Sequence, residues 1–219
     1  MNYKPTAGPV AKEAFPFALP PAVLCGAFAI LGWQFTSVFM LLLFAYVLFF
    51  FRNPDRYESR SIHDIMSPAD GKLVAAGIVQ HPDFEGGQAL RLAVFMSVLD
   101  CHINWTPCAG KVDDAKYYEG QFVNAMDDKS SEENERKIIW LTAETGHRVI
   151  VKLVAGLIAR RIVCPVEKDD RLARGEKIGL IRFGSRVELL IPADSALHVR
   201  PGMMVRGGQT VLATLTNNL

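Results

Sequence analysis

The first fifty residues differ from the rest of the chain in their pattern of hydrophobic and polar positions. No charged residue lies between Glu13 and Arg52, so residues 14–51 form an uncharged, mostly apolar run of 38 residues. Because one helix needs roughly 20 apolar residues to cross a bilayer, the run has room for two short helices. Small and polar residues interrupt it at 32–34. Three prolines near its beginning suit a helix start: Pro16, Pro20 and Pro21. The pattern predicts an N-terminal hydrophobic helical hairpin.

Positive charges flank the apolar run on both sides: Lys4, Lys12, Arg52, Arg56 and Arg60. Basic residues favour the cytoplasmic side of a membrane, so both ends of the hairpin are expected there. Residues 1–60 are therefore predicted to associate with the cell membrane, with the remainder on its cytoplasmic face. A cleaved signal peptide fits poorly, because the run is too long and no small-residue cleavage site follows it. A hairpin lying partly in the bilayer and a buried helical pair are the alternatives to a double crossing.

From Ser61 onward, short β-like runs alternate with glycine and proline turns, which is typical of a sheet-rich domain. The runs are residues 72–79, 89–98, 148–154, 178–183, 187–191 and 210–215. We therefore predict an α+β fold, in which a sheet-rich domain of residues 61–219 follows the helical hairpin.

Two late segments share one spacing of hydrophobic residues around a glycine: Leu172, Gly175 and Ile178, then Val205, Gly208 and Val211. Each glycine is expected to make a tight turn between strand ends. Lipoyl and biotinyl carrier domains contain such turns, so a membrane-anchored carrier or binding module without catalysis is an alternative. Those carriers need an exposed lysine at the hairpin tip, and neither turn has an obvious one.

Charge and cysteine content exclude some classes of function. The net charge of +1 gives no reason to expect nucleic acid binding. The four cysteines show no CxxC pair and no framework spacing, which favours reduced thiols in a cytosolic setting and argues against a zinc site. Residues 130–136, SSEENER, are strongly polar, and we predict a solvated loop or a helix start capped by Ser130 or Ser131.

A glycine–serine pair, Gly184–Ser185, lies between two strand-like runs. Most such pairs are ordinary turns. A serine hydroxyl held in a strained turn can also attack the preceding carbonyl, and glycine tolerates the backbone distortion that this requires. The amide then becomes an ester, and loss of the β-oxygen followed by hydrolysis gives a pyruvoyl group and ammonia.

Five segments appear in the order known from one enzyme family: SPADG at 67–71, MSVLDCHINWTP at 96–107, YYEGQFVNA at 117–125, SSEENER at 130–136 and FGSR at 183–186. With them, the chain resembles the pyruvoyl-dependent phosphatidylserine decarboxylases of the short bacterial and archaeal type. The hydrophobic N-terminus also resembles the membrane anchor of that family.

The resemblance implies self-cleavage between Gly184 and Ser185, which yields a β chain of residues 1–184 and an α chain of residues 185–219. Ser185 would become the pyruvoyl group that forms a Schiff base with phosphatidylserine, releasing CO2 and phosphatidylethanolamine without a metal. The early aspartate of the family corresponds to Asp70, and its DxH motif corresponds to Asp100 and His102. The resemblance leaves the oligomeric state open, a homo-oligomer included.

The chain departs from the longer members of this family at one position that matters. Those members carry a second histidine three residues after the first, where this chain has Trp105. His102 is therefore the leading candidate for the base that activates Ser185, and for the acid that later protonates the substrate. Asp70 or Asp100 could orient its ring. A membrane-tethered peptidase is a third interpretation, but the sequence shows no convincing zinc-ligand set for it.

Overall fold

The computed structural model describes residues 8–56, 61–121, 123, 130–156, 161–182 and 184–216. Lys4 and Arg60 lie outside these ranges, as do residues 122, 124, 125 and 183 of the motifs named above. The chain forms two compact units, one of residues 4–55 and one of residues 56–219.

The first unit is the hairpin that the sequence predicts. Helix α1 spans Phe15–Ile30 and helix α2 spans Gln34–Phe50. Gly32 makes the turn between them with a φ of +75°, a conformation that glycine adopts at little cost. The Ser37 hydroxyl of α2 donates to the Cys25 carbonyl of α1 at 2.9 Å. The predicted break at 32–34 is thus confirmed.

The prolines and the apolar surface of the hairpin qualify that prediction. Pro16 lies at the start of α1 as expected, but Pro20 and Pro21 lie inside the helix, so the prediction that they mark its start was wrong.

Among the described residues, one helical stretch, Lys12–Ile30, is long and apolar enough to cross a membrane, while Gln34–Phe50 is shorter. Large apolar side chains such as Ile30 and Phe35 are almost fully exposed in this unit.

The second unit is built from strands, which alternate with turns over the described residues. They are β1 Asp64–Met66, β2 Gly71–Gln80, β3 Gln88–Met96, β4 Ile103–Trp105, β5 Gly110–Tyr118, β6 Arg136–Ala143, β7 Arg148–Ala155, β8 Ile162–Val163, β9 Arg171–Leu172, β10 Lys177–Ile181, β11 Ser185–Pro192, β12 Ala196–Leu197, β13 Met204–Val205 and β14 Val211–Thr214. A short helix, α3, spans Ser130–Glu133. The α+β fold is confirmed, and each of the six predicted runs corresponds to one of these strands.

The strands pair into three antiparallel sheets in the described part of the chain. The large sheet has the order β13-β2-β3-β11-β7-β6-β5-β9, and the two small sheets have the orders β4-β10-β8 and β1-β14-β12. Strand β11 lies inside the large sheet and pairs with β3 on one side and with β7 on the other. In this register, Ser185 lies opposite Met96 of β3 and Ala155 of β7.

The two faces of β11 carry different side chains. Val187, Leu189 and Ile191 point into the main hydrophobic core, as the two-residue period of a strand requires. Arg186 and Glu188 lie on the opposite face, yet they are also buried. The central strand is therefore covered on both faces, one apolar and one ionic.

The predicted glycine turns are confirmed. Gly175 has a φ of +68° between β9 and β10, and Gly208 has a φ of +70° between β13 and β14. Both values lie in the left-handed region that disfavours residues with a Cβ atom.

Candidate active site

The Gly184–Ser185 pair lies at the start of the central strand. Gly184 has a φ of +66°, and Ser185 is the first residue of β11. The Ser185 side chain is fully buried, and its Oγ donates to the Met96 Sδ at 3.3 Å. A thioether is a weak acceptor, so this contact orients the hydroxyl without holding it strongly.

His102 lies beside this pair, just before β4, and is also buried. Its Nδ1 is 3.0 Å from the Asp100 carbonyl oxygen. Because a carbonyl oxygen can only accept, Nδ1 carries the proton and Nε2 has a lone pair. The Gly184 N–H donates to that Nε2 at a long 3.4 Å. The fold thus brings His102 to the predicted cleavage site, as the sequence analysis required.

The Asp100 carboxylate shapes the turn that leads to His102. It accepts hydrogen bonds from the Ser97 backbone N–H at 2.8 Å and from the Ser97 hydroxyl at 2.7 Å. The Asp100 N–H closes the same turn on the Ser97 carbonyl at 3.0 Å. Asp100 therefore positions His102 through its backbone carbonyl, while its carboxylate faces Ser97.

Asp70 has different partners from those expected. Its carboxylate forms a two-pronged ion pair with the Arg56 guanidinium and accepts a hydrogen bond from the Gly207 N–H at 2.8 Å. Burial opposes the charge on Arg56, but the hydrogen bond with Asp70 and its attraction outweigh burial and raise the pKa of the guanidinium. The hydrogen bonds described for the Asp70 and Asp100 carboxylates go to these other groups, and Asp100 meets the His102 ring through its backbone carbonyl. Their part in the chemistry stays a prediction.

Trp105 occupies the position where longer relatives have a second histidine. Its side chain is fully buried, and the Arg56 guanidinium lies 4.9 Å from its ring centre. Gly207 packs so closely that an added Cβ would come within 2.4 Å of the indole. The ring thus contributes to packing at this place, and a tryptophan has no basic nitrogen to offer.

Asn104 was not singled out from the sequence, although it lies in the segment that contains His102. Its side chain is fully buried, and its Nδ2 is 3.7 Å from the same Met96 Sδ that Ser185 contacts. The Oδ1 of Asn104 has no hydrogen-bond partner among the described residues. A buried acceptor without a donor is costly, so a bound group with an N–H would relieve it.

The polar run at 130–136 is only partly solvated, which corrects the prediction of a solvated loop. Ser131, Asn134 and Glu135 are buried, while Glu132 and Glu133 are exposed. The predicted helix start is present as α3, but the Ser131 hydroxyl donates to Glu188 at 2.9 Å instead of capping the helix. Asn134 is fully buried, and its Nδ2 donates to the Ala155 carbonyl at 2.7 Å. Since Ala155 lies opposite Ser185, this run supports the strand next to the cleavage site.

A buried ion network connects the same run to β11, and the sequence analysis missed it. The Arg186 Nε lies 2.7 Å from the Glu188 Oε1, and both side chains are almost fully buried. Arg91 of β3 approaches the same carboxylate at 3.5 Å. Lys152 of β7 donates to Ser131 at 2.9 Å, which extends the network to a third strand. The arginine after Ser185 thus has a structural partner two residues away.

Comparison with known proteins identifies the family. A sequence model described as phosphatidylserine decarboxylase matches residues 43–213. The chain belongs to the phosphatidylserine decarboxylase family. That range includes Asp70, Asp100, His102 and Ser185, so the resemblance seen in the motifs is confirmed.

Relatives at considerable identity support this membership of the phosphatidylserine decarboxylase family. Proteins named phosphatidylserine decarboxylase proenzyme from Desulfotalea psychrophila and Symbiobacterium thermophilum are 42% and 43% identical to the chain. Each alignment covers 94% of this chain, with 97% and 95% of the respective relative. A third such protein, from Aromatoleum aromaticum, is 43% identical with the same coverage as the second. The family consists of enzymes, so the carrier-module alternative is set aside.

Proposed function

We propose that this chain is a precursor that cuts itself between Gly184 and Ser185 and then decarboxylates phosphatidylserine to phosphatidylethanolamine and CO2. The observation that carries the proposal is the turn at Gly184 followed by the buried Ser185, with the His102 Nε2 lone pair directed at Gly184. The proenzyme names of the relatives support a maturation step.

The geometry of the turn suits an attack by Ser185 on the preceding carbonyl. Apart from its chain neighbours, no described residue has a heavy atom within 4 Å of where a Cβ on Gly184 would be. The glycine is needed for its φ of +66°, which a residue with a side chain adopts only under strain. The Gly184 nitrogen and carbonyl carbon are about 2.5 Å apart by covalent geometry, so His102 Nε2 lies within about 6 Å of the reacting carbon.

The cleavage step requires a base, because a serine hydroxyl is a poor nucleophile at neutral pH. As Oγ attacks the Gly184 carbonyl carbon, the hydroxyl proton passes to His102 Nε2. The protonated ring then returns that proton to the Ser185 nitrogen, which leaves as an amine. The result is an ester on Oγ and a free amine. Removal of the Ser185 α-proton then expels the Gly184 carboxylate, and water replaces the nitrogen as ammonia departs.

His102 can serve as this base without a large rearrangement. To accept the proton, its Nε2 gives up only the hydrogen bond from the Gly184 N–H, which at 3.4 Å is too long to be strong. Its Nδ1–H stays on the Asp100 carbonyl, and that bond favours the protonated ring when Nε2 takes a proton. In the second stage, the same Nε2 holds the proton that the α-carbon of the substrate receives.

The residues around Ser185 fit the pyruvoyl group that would form there. That group supplies an electron sink beside the carboxylate of the substrate. The Met96 thioether contacts the Ser185 Oγ in the precursor. It could pack equally well against the methyl group of the pyruvoyl group, because a thioether is apolar and adaptable. The unpartnered Asn104 Oδ1 offers an acceptor for the amine of the substrate.

The lipid substrate accounts for the apolar hairpin under this proposal. We place residues 1–60 at the cell membrane and the domain of residues 61–219 on its cytoplasmic face, where phosphatidylserine is met at the bilayer surface. The β chain of residues 1–184 and the α chain of residues 185–219 then remain partners in one molecule.

Intact-mass measurement of the purified protein tests the proposal. The parent should give two chains whose summed mass exceeds the precursor by about 1 Da, because one water enters and one ammonia leaves. Ordinary proteolysis would add about 18 Da, the mass of one water. Ser185→Ala should remain one inactive chain of 24.2 kDa, because alanine has no hydroxyl.

Ser195→Ala is the matched control for this experiment. Ser195 is a buried serine ten residues further along, and its hydroxyl donates to the Pro192 carbonyl. This variant should cleave like the parent. Two chains of normal mass from Ser185→Ala would refute the proposal.

A further inference from the structure

One end of the second unit gathers the strand ends that form the active site. In the large sheet, β3 ends at Met96, β7 ends at Ala155 and β11 begins at Ser185. His102 and the end of β10 lie next to them, since the Ile181 N–H donates to the His102 carbonyl at 3.3 Å. We call this the site end of the domain.

A tight turn at the site end carries two apolar side chains at its centre. It spans residues 97–100 and is closed by the Asp100 N–H on the Ser97 carbonyl. Leu99 is 64% exposed and Val98 is 37% exposed. Central turn positions usually carry Gly, Asn, Asp or Ser, so two exposed aliphatic residues there are unusual. We call Val98 and Leu99 the apolar tip.

The turn has a defined shape, so the apolar tip is held outward. The Asp100 carboxylate accepts from both the N–H and the hydroxyl of Ser97. The Leu99 N–H lies 3.4 Å from the Ser97 Oγ. These hydrogen bonds fix the backbone of the turn, and in this conformation both side chains of the tip are exposed to solvent.

Two arginines lie at the same end of the domain. Arg161 precedes β8 and is exposed, and Arg182 follows β10 and is half-buried. They are neighbours across the small sheet, because the Arg182 N–H donates to the Arg161 carbonyl at 3.4 Å. An apolar projection beside cationic groups is the composition of segments that bind an anionic membrane surface.

We propose that the apolar tip inserts into the lipid bilayer and docks the site end on the membrane surface, with Arg161 and Arg182 facing anionic headgroups. The inference rests on the proposed function, in which the substrate is a lipid headgroup. The tip lies between Met96, which contacts Ser185, and His102 along the chain. Docking through it brings the cleavage site to the headgroups of the lipid layer that the domain faces.

Serine substitutions in the tip test the proposal on two forms of one substrate. With Val98→Ser and Leu99→Ser together, decarboxylation of phosphatidylserine in phosphatidylcholine vesicles should fall about tenfold. The double variant lacks the two apolar side chains whose transfer from water into the bilayer would stabilise docking. Decarboxylation of monomeric short-chain phosphatidylserine should stay within about twofold, since the tip does not contact the reacting atoms under this proposal.

Ile78→Ser is the matched control. Ile78 is an aliphatic residue of β2 that is 52% exposed and pairs with Leu90, away from the site end. It should behave like the parent on both substrates. Equal losses on vesicles and on the soluble substrate in the tip variant would overturn the proposal, and so would unchanged activity on vesicles.

A fluorescence measurement tests the tip without relying on activity. Leu99→Trp and Ile78→Trp are compared with the parent in vesicles of brominated phosphatidylcholine and phosphatidylserine. Additional quenching is expected for Leu99→Trp and not for Ile78→Trp, because bromine quenches only nearby indoles. Equal quenching of the two would overturn the proposal. A parent chain without decarboxylase activity would refute the proposed function, and the quenching result would still decide on the tip.

Discussion

Glu188→Gln removes the carboxylate from the buried ion network of the central strand. Glu188 is 1% exposed, and its carboxylate lies against Arg186 at 2.7 Å and Arg91 at 3.5 Å. The Ser131 hydroxyl donates to its other oxygen at 2.9 Å. A neutral amide removes the carboxylate charge that lies against the fully buried guanidinium of Arg186.

The size of the effect follows from that burial. Breaking a buried ion pair by removing one partner costs about 3–5 kcal/mol of unfolding free energy, because the remaining charge is uncompensated. For a domain of this size, such a loss lowers the unfolding temperature by on the order of 10 °C. The double variant Arg186→Met with Glu188→Leu removes both buried charges and should unfold closer to the parent than Glu188→Gln.

Thermal unfolding in detergent checks this prediction, with all variants built on the uncleavable Ser185→Ala chain. Asp169→Asn is the control, because Asp169 pairs with Lys111 at 2.6 Å and both side chains are more than half exposed. An exposed pair contributes about 1 kcal/mol or less. If Glu188→Gln unfolds within about 2 °C of its parent, or if the double variant is the less stable one, the network does not stabilise the strand as argued.

Three further predictions concern the base, the hairpin and the thiol of Cys108. His102→Ala should slow cleavage at Gly184 by about 100-fold or more on a time-resolved denaturing gel, and normal cleavage with normal decarboxylation would remove His102 from the mechanism. Deleting residues 1–51 should move the protein from the membrane to the soluble fraction, and a truncated protein that stays with salt-washed membranes would place the anchor elsewhere. Burial raises the pKa of Cys108 from 9.0 to about 12, so its neutral thiol stabilises the folded state below about pH 9, and this stabilisation is lost as the pH rises toward 12. The unfolding temperature should therefore fall more steeply from pH 9 to 11 in the parent than in Cys108→Ala, and equal slopes would contradict the assignment.

The hairpin and the strands could be predicted from the sequence because their signals are local. A long uncharged run broken at Gly32 predicts two helices, and hydrophobic runs between glycines predict strands such as β11. The meeting of Ser185 and His102 needs contacts between residues that are 82–89 positions apart, which no local pattern contains. The family motifs supplied that link, and the register of β3 against β11 gives its physical basis.

The polar residues show where the sequence analysis failed. Ser131, Asn134 and Glu188 look like solvated positions by their type, but the second face of the sheet is covered and they bond to one another or to backbone. Asp70 was expected beside His102, but the partner that it finds is Arg56, 14 residues earlier. Which polar group meets which depends on the tertiary fold, and single-residue chemistry does not determine it.

The position of the cut in the sheet has a consequence for assembly. Residues 185–190 of β11 are hydrogen-bonded to β3 on one edge and to β7 on the other. Further along the segment after Ser185, β13 pairs with β2 and β14 pairs with β1. Severing the bond before Ser185 would therefore leave every one of these ladders intact. The shorter fragment would contribute strands to two sheets of one nicked domain, and it would not be a subunit that associates and dissociates. Mixing separately synthesised fragments should then fail to restore the fold unless both are first unfolded together. Under the proposed self-cleavage, the chain would therefore fold first and be cut second.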